Sequence, residues 1–515
     1  MNGAEAFIET LVDSGVDVCF ANPGTSEMQL VAAIDRTDGM RAILGLFEGV
    51  VTGAADGYAR MADKPAVTLL HLGPGLGNGI ANLHNARRAG VPMVNIVGDH
   101  ATYHLQYDAP LTSDAAGVAR PMSDWVRLAR SERDLSQAGA EAVAVAQNYP
   151  GRIATVIVPA NHAWNAGAAP VAPRPVPPAP RTPPQVVAEV ATALRAGQAG
   201  ACLILGGRAL REDALLQAGR IAAATGARLV AETFFARMQR GAGRVAVERL
   251  PYFGEEAQKF LSDFGTIILC GTEAPASFFA YPGKPSFLAP ETAALHRLAA
   301  RDEDVLAALS DLAEQLDVPA EPAGVQAPHV VLAEDGPIRP KAIGAILGEL
   351  MPEDAIVSDE GTTAGALAFP LTAGAVRHDW LYLTGGAIGQ GLPVAVGAAV
   401  ACPTRKVIAL QADGSAMYTN QALWTMAREN LDIVVLLLNN GSYAVLNIEL
   451  MRVGARNPGP KALSMLDLGN PDISWVKLAE SMGVPGEQVT TVAELRRALA
   501  SALKTKGPRL VELML

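Results

Sequence analysis

The stretch Ala412-Asp413-Gly414-Ser415, followed by Leu437-Leu438-Asn439-Asn440-Gly441-Ser442, decides how this chain is read. An acidic residue closes one apolar run (Val407-Ile408-Ala409-Leu410), and a paired Asn closes the next (Ile433 to Leu438). The step of 27 residues from Asp413 to Asn440 matches one strand-helix-strand crossover, which returns the chain to the same edge of a parallel sheet. A carboxylate, a carboxamide and bare backbone then converge at neighbouring strand ends. Hard oxygen donors in that arrangement suit Mg²⁺ carrying a diphosphate. The competing reading is a pair of turns that need only small polar residues.

Composition bounds the rest. With 515 residues, half of them hydrophobic and 18% charged, the chain has the material for about three domains with well-buried cores. A net charge of −11 with no Lys/Arg block argues against a nucleic-acid partner. Cys19, Cys202, Cys270 and Cys402 form no CxxC pair and read as reduced thiols, neither disulfides nor zinc ligands. The N-terminus carries no basic-then-apolar leader, and no apolar run approaches the roughly 20 residues that span a bilayer. A cytoplasmic protein is expected.

Two proline-rich segments, 166–184 and 318–337, divide the chain into pieces 1–165, 185–317 and 338–515. Proline removes a donor and fixes φ, so these segments cannot sustain helix or central strand. Each piece alternates helical periodicity with short apolar runs of the kind covered on both faces. Val16 to Phe20, Ala66 to Leu70 and Met93 to Val97 lie in the first piece. Ala201 to Leu205, Arg228 to Val230 and Thr266 to Leu269 lie in the second. Ala355 to Val357, Lys406 to Leu410, Ile433 to Leu438 and Leu510 to Leu513 lie in the third. The expectation is an α/β protein of three doubly wound parallel-sheet domains.

Further segments carry candidate chemistry. Glu48 begins the small-residue helical stretch Leu46 to Arg60; it reads either as a dipole partner or as a functional carboxylate. So apolar a Gly/Ala-rich helix implies close packing on a neighbour, another subunit being one candidate. His71-Leu72-Gly73-Pro74-Gly75-Leu76-Gly77 fails as a dinucleotide fingerprint, because a proline interrupts it and no acidic residue ends a strand about 20 residues later. His71 nevertheless follows a strand, where catalytic groups of open sheets gather. Thr384 to Pro393 is a second Gly-rich turn into a helix. With Glu360-Gly361-Thr362-Thr363 and Asp413-Gly414-Ser415 it offers hydroxyls and bare N–H groups for phosphate. Asp99, His100 and His104 either line a pocket mouth or face solvent.

Together these motifs resemble the thiamine diphosphate enzymes that act on 2-oxo acids, the group including acetolactate synthase and benzoylformate decarboxylase. The resemblance spans nearly the whole chain: Asn22-Pro23-Gly24-Thr25-Ser26-Glu27, the Glu48 helix, the Gly386–Pro393 turn and the Asp413…Asn440 motif, in family order. The chain looks closest to acetolactate synthase large-subunit-like proteins.

The resemblance implies pyrimidine-binding, middle and diphosphate-binding domains in that order. Asp413, Asn440 and the Ser442 carbonyl would hold Mg²⁺. Thr362, Thr363, Gly414, Ser415 and Tyr443 would support the phosphates, Ile388 would prop the bent cofactor, and the Gly386 carbonyl would accept from its aminopyrimidine. Glu48 of the partner subunit would bond the pyrimidine N1′, making a homodimer the minimum active unit and a homotetramer the expected assembly. His71 and Thr25 match active-site positions of benzoylformate decarboxylase.

The implied reaction is decarboxylation of a small, pyruvate-like 2-oxo acid. The product carbon is then protonated to an aldehyde or joined to a second carbonyl. His100, His104, Phe279 and Glu449 are the substrate-pocket candidates. Phe279 stands where benzoylformate decarboxylase has a second His, and Glu449 where an aromatic residue is expected; both count against an aryl substrate. Cys270 to Pro275 lacks the Arg-rich run of the family's FAD site, so FAD is not expected. An aryl 2-oxo acid decarboxylase, an FAD-linked pyruvate oxidase and a non-catalytic homologue stand as alternatives.

Overall fold

The computed structural model describes residues 1–197, 200–455 and 457–515. Each apolar run singled out above forms a strand, and the strands assemble into three sheets. The first is six-stranded and all parallel, in the order Arg41–Leu44, Val18–Asn22, Ala66–Leu70, Met93–Asp99, Ile153–Pro159, Trp125–Leu128. The second has five parallel strands: Glu248–Arg249, Arg228–Ala231, Ala201–Leu205, Thr266–Cys270, Ala294–Ala299. Helices cover both faces, which is why Ile153–Pro159 and Ala201–Leu205 are buried along their whole length.

The third sheet runs Gly486–Val489, Arg509–Met514, Ile433–Asn439, Val407–Ala412, Ala355–Glu360, His378–Tyr382, Arg237–Arg240. Its last strand comes from the middle piece and pairs antiparallel with His378–Tyr382, His378 opposite Arg240. Charge holds this graft: Arg237 Nε donates to Asp379 Oδ1 at 2.5 Å, and Arg240 is buried against Phe369. Val407–Ala412 and Ile433–Asn439 are hydrogen-bonded neighbours, Ala412 opposite Leu438, so Asp413 and Asn440 leave adjacent strand ends. That is the juxtaposition their spacing predicts.

The Glu48–Ala62 helix packs on Gly391–Ala401 of the same chain. The close neighbour implied by its Gly/Ala content is therefore intrachain. A Cβ on Gly397 would sit 1.9 Å from the Ala54 carbonyl oxygen, and one on Gly57 2.1 Å from that of Val394. Farther along, buried Arg60 pairs with Asp56 at 2.7 Å and donates to the carbonyls of Ala236 (3.0 Å) and Tyr382 (2.8 Å), joining all three pieces. Among the described residues no helix is long and apolar enough to cross a membrane.

Candidate active site

The Asp413 carboxylate begins a helical turn, Asp413–Ala416, and is 5% exposed. Its Oδ1 accepts from the Gly414 N–H and its Oδ2 from the Gly441 N–H, both at 2.8 Å. Burial pushes its pKa up, and it forms no ion pair among the described residues. A buried carboxylate without a cation is costly, so the site has the charge a metal would neutralise.

The paired Asn residues divide their work. Asn439 Nδ2 donates to Glu512 at 2.8 Å, a bond between strands, while Asn440 Oδ1 accepts from the Ser442 N–H at 3.0 Å and shapes the loop. Gly441 takes φ +61, which a side chain would resist. Asp413, Gly414, Asn440, Gly441 and Tyr443 line a cleft of about 560 Å³. The Tyr443 ring lies where a Gly414 Cβ would be, 2.6 Å away, so only glycine fits beneath it.

Thr362 opens the next turn at φ +46, a left-handed conformation uncommon for threonine. Strain of this kind clusters at functional sites. Both Thr362 and Thr363 are half-buried. Ser415 is committed locally: its hydroxyl accepts from Gln411 at 2.7 Å and donates to the Ala412 carbonyl at 3.1 Å.

Glu360, quoted in the sequence only as part of a loop, organises the Gly-rich turn. One oxygen accepts from the N–H groups of Gly389 (2.8 Å) and Gln390 (3.3 Å); the other accepts from Gly391 N–H and Gln411 Nε2, both at 2.8 Å. The N-terminal piece clamps the same turn from the far side. Asn85 Nδ2 donates to Ala387 O at 2.7 Å, and Asn82 Nδ2 reaches both Gly49 O (2.8 Å) and Gly389 O (3.2 Å). Asn82 thus ties the peptide after Glu48 to the turn carrying Gly386 and Ile388. Glu48 itself is 8% exposed and accepts from Asn78 Nδ2 at 3.0 Å.

At the neighbouring strand ends, His71 Nδ1 lies 2.8 Å from the Glu27 carboxylate, which is fully buried. The same carboxylate accepts from Gly24 N–H (2.7 Å) and from Ser26 Oγ (2.6 Å). Ser26 Oγ also comes within 3.4 Å of the imidazole, whereas Thr25 is exposed and its side chain makes no hydrogen bond among the described residues. Glu27 and Ser26 were legible as motif letters without a role; a carboxylate pointing back from a tight turn was the available signal. The His100 and His104 rings lie 5.3 Å apart, with His100 Nε2 buried and unpartnered.

The loop after Thr266–Cys270 closes over the turn. Phe278 occupies the space beside Gly386, and Phe279 meets Phe278 edge-on at 4.7 Å. Tyr281 donates to Glu449 at 2.7 Å, bringing Glu449 on the Ala444–Arg452 helix against this aromatic loop. Phe279 and Glu449 therefore both meet this aromatic loop, Phe279 through Phe278 and Glu449 through Tyr281.

Residues 1–118 match the family model for the N-terminal TPP binding domain of thiamine pyrophosphate enzymes, and residues 364–513 match that for the C-terminal TPP binding domain. The chain is 53% identical to IlvX of Mycobacterium tuberculosis, provisionally named an acetolactate synthase large subunit, over 100% of this chain and 99% of that protein. It is 28% identical to benzoylformate decarboxylase of Pseudomonas aeruginosa, over 98% of this chain and 97% of that one. Its fold is similar to that of the thiamine diphosphate-dependent 4-hydroxybenzoylformate decarboxylase of Rhodococcus jostii RHA1, with a TM-score of 0.88, 26% identity and coverage of 100% and 99%. With both thiamine-binding halves matched and a full-length relative above half identity, the chain belongs to the thiamine pyrophosphate enzyme family.

Proposed function

We propose that this enzyme uses thiamine diphosphate and Mg²⁺, without FAD, to decarboxylate a small 2-oxo acid of the pyruvate type. The product carbon is either protonated or joined to a second carbonyl, as in an acetolactate synthase. The observation that carries the metal and cofactor part is the buried, cation-free Asp413 carboxylate beside Asn440 in a cleft of about 560 Å³. No cluster of three His, Cys, Asp or Glu side chains competes as a metal site among the described residues.

Asp413, the Asn440 carboxamide and the Ser442 carbonyl would hold the metal. Thr362, Thr363, Gly414, Ser415 and Tyr443 would border the diphosphate, with Ile388 and the Gly386 carbonyl shaping the pyrimidine seat. Thiamine diphosphate supplies the electron sink that lets CO₂ leave a 2-oxo acid. Glu48 would face the pyrimidine N1′ as the group that gives and takes its proton, and the near-complete burial of its carboxylate would keep water from competing. His71, held by Glu27, stands ready to move a proton at the substrate. Exposed Leu46, Met417, Tyr418 and Met465 support a homodimer that covers this face, each chain offering Glu48 to the other's cofactor.

An aryl 2-oxo acid is the second reading, favoured by the Phe234, Tyr252, Phe278 and Phe279 group beside Gly386. The test is CO₂ release over a panel of aliphatic and aryl 2-oxo acids, with both cofactors and with or without an aldehyde acceptor. Turnover of pyruvate-like acids is expected. Turnover of aryl acids alone establishes the second reading, and none at all contradicts both. A yellow purified protein would contradict the FAD-free assignment.

A further inference from the structure

Four arginines are buried below a tenth of their surface: Arg60, Arg237, Arg240 and Arg244. Three have carboxylates: Arg60 has Asp56 at 2.7 Å, Arg237 has Asp379 at 2.5 Å and Arg244 has Glu212 at 3.0 Å. Arg240 has none within ion-pair distance among the described residues. Its guanidinium donates to Thr372 Oγ1 (3.0 Å) and the Phe369 carbonyl (2.7 Å), and lies 3.8 Å from the Phe369 ring centroid. Arg249 also lacks a carboxylate: its guanidinium meets the Tyr382 hydroxyl but forms no ion pair among the described residues, and its Nη1 is buried without a partner. Its guanidinium stacks 5.0 Å from Phe369 and 4.7 Å from Tyr382.

Both arginines line one cleft of about 750 Å³ between the middle sheet and the C-terminal piece, with Leu229, Val247, Phe369 and Pro370 among its apolar walls. None of the residues assigned above to the cofactor or substrate borders it. The one carboxylate on its wall, Glu248, is held by both nitrogens of Arg228, at 2.6 and 2.7 Å to Nη2 and 3.1 Å to Nε. Asp359 lies behind the arginines, but it accepts from Trp380 Nε1 and Gly361 N–H, each at 3.0 Å. Buried charges in proteins are normally paired, and a guanidinium fork fits a carboxylate or phosphate. The volume is that of a small-molecule site. Burial and the nearby Arg249 push the Arg240 pKa down to about 9, and Asp359 behind it offsets only part of that shift.

We propose that this cleft is a second ligand site, for an organic oxyanion whose carboxylate or phosphate meets Arg240 and Arg249 and whose apolar body lies along Phe369 and Leu229. The test is calorimetry on the thiamine- and Mg²⁺-loaded enzyme with phenyl phosphate, benzoate and inorganic phosphate, so that the phosphate seat at Asp413 is already filled. Phenyl phosphate or benzoate should bind, the tighter one naming the oxyanion, and inorganic phosphate should bind more weakly. Affinity should fall about tenfold or more in Arg249→Gln, as for loss of a charge-assisted bond, and also in Ala222→Phe, which fills the wall while leaving both arginines. No binding of either aryl probe overturns the proposal, as does equal binding by both variants. Inorganic phosphate binding as tightly as phenyl phosphate overturns the organic part. A drop in assembly mass of Arg249→Gln by light scattering also overturns it, since the arginines then answer a second copy.

Discussion

Glu360→Gln is the substitution whose effect can be worked most fully from the structure. The carboxylate is 2% exposed and receives four N–H donors, two on each oxygen. A glutamine offers one oxygen and one NH₂ in the same space. Whichever way the amide turns, two donors lose their acceptor and face another donor. Each unsatisfied buried donor costs about 1–3 kcal/mol, giving about 2–6 kcal/mol. Removing a buried charge, whose pKa is already raised by burial, offsets part of this, leaving a net loss of about 1–4 kcal/mol. Three of the four donors belong to the turn that carries Gly386 and Ile388, so the loss also appears as weaker thiamine diphosphate binding. Thermal melts with and without cofactor, and a calorimetric titration at pH 7.5, read both effects. A Glu360→Gln protein with unchanged melting temperature and unchanged cofactor affinity would refute the claim that this carboxylate holds the turn.

Three further predictions follow from packing, titration and assembly. Gly397→Ala places a Cβ 1.9 Å from the Ala54 carbonyl and should cost about 1–3 kcal/mol or more. Gly77→Ala, on an exposed helix face with nothing within 4 Å, should be neutral or stabilising in the same melts. His378 is buried and its pKa is held down to about 3 by burial and by Arg240. Its folded value lies below the unfolded one, so its contribution is complete above about pH 6.5 and is lost on acidification at about 1.4 kcal/mol per unit. His378→Asn should therefore flatten the acid limb of a stability profile between pH 6.5 and 4.5 relative to wild type. For assembly, Glu48→Gln and Asp413→Asn should each be inactive. Mixed and reassembled they should regain about a quarter of wild-type activity if sites are shared between subunits, and none if each chain is self-sufficient.

The sheet ends were legible because a parallel crossover has a narrow length range, which set Asp413 beside Asn440 from spacing alone. Ten of the eighteen strands among the described residues were legible because residues covered on both faces form apolar runs. Arg237-Met238-Gln239-Arg240 shows neither pattern. It joins the third sheet because Asp379 and the Phe369 ring, more than a hundred residues away, accept its arginines. The Glu27–His71 pair and the four-donor Glu360 were hidden for the same reason. Their meaning lies in donors brought together by tertiary structure, whereas Thr25 drew attention through its motif position although Ser26 is the hydroxyl near the imidazole.

Glu48 is proposed to move the proton that activates thiamine diphosphate held beside Asp413. The exchange of the cofactor's C2 proton for deuterium on the enzyme measures this without knowledge of the substrate. Glu48→Gln should slow the exchange by about 10²–10⁴-fold while cofactor still binds. An exchange rate equal to that of the wild type would contradict the account.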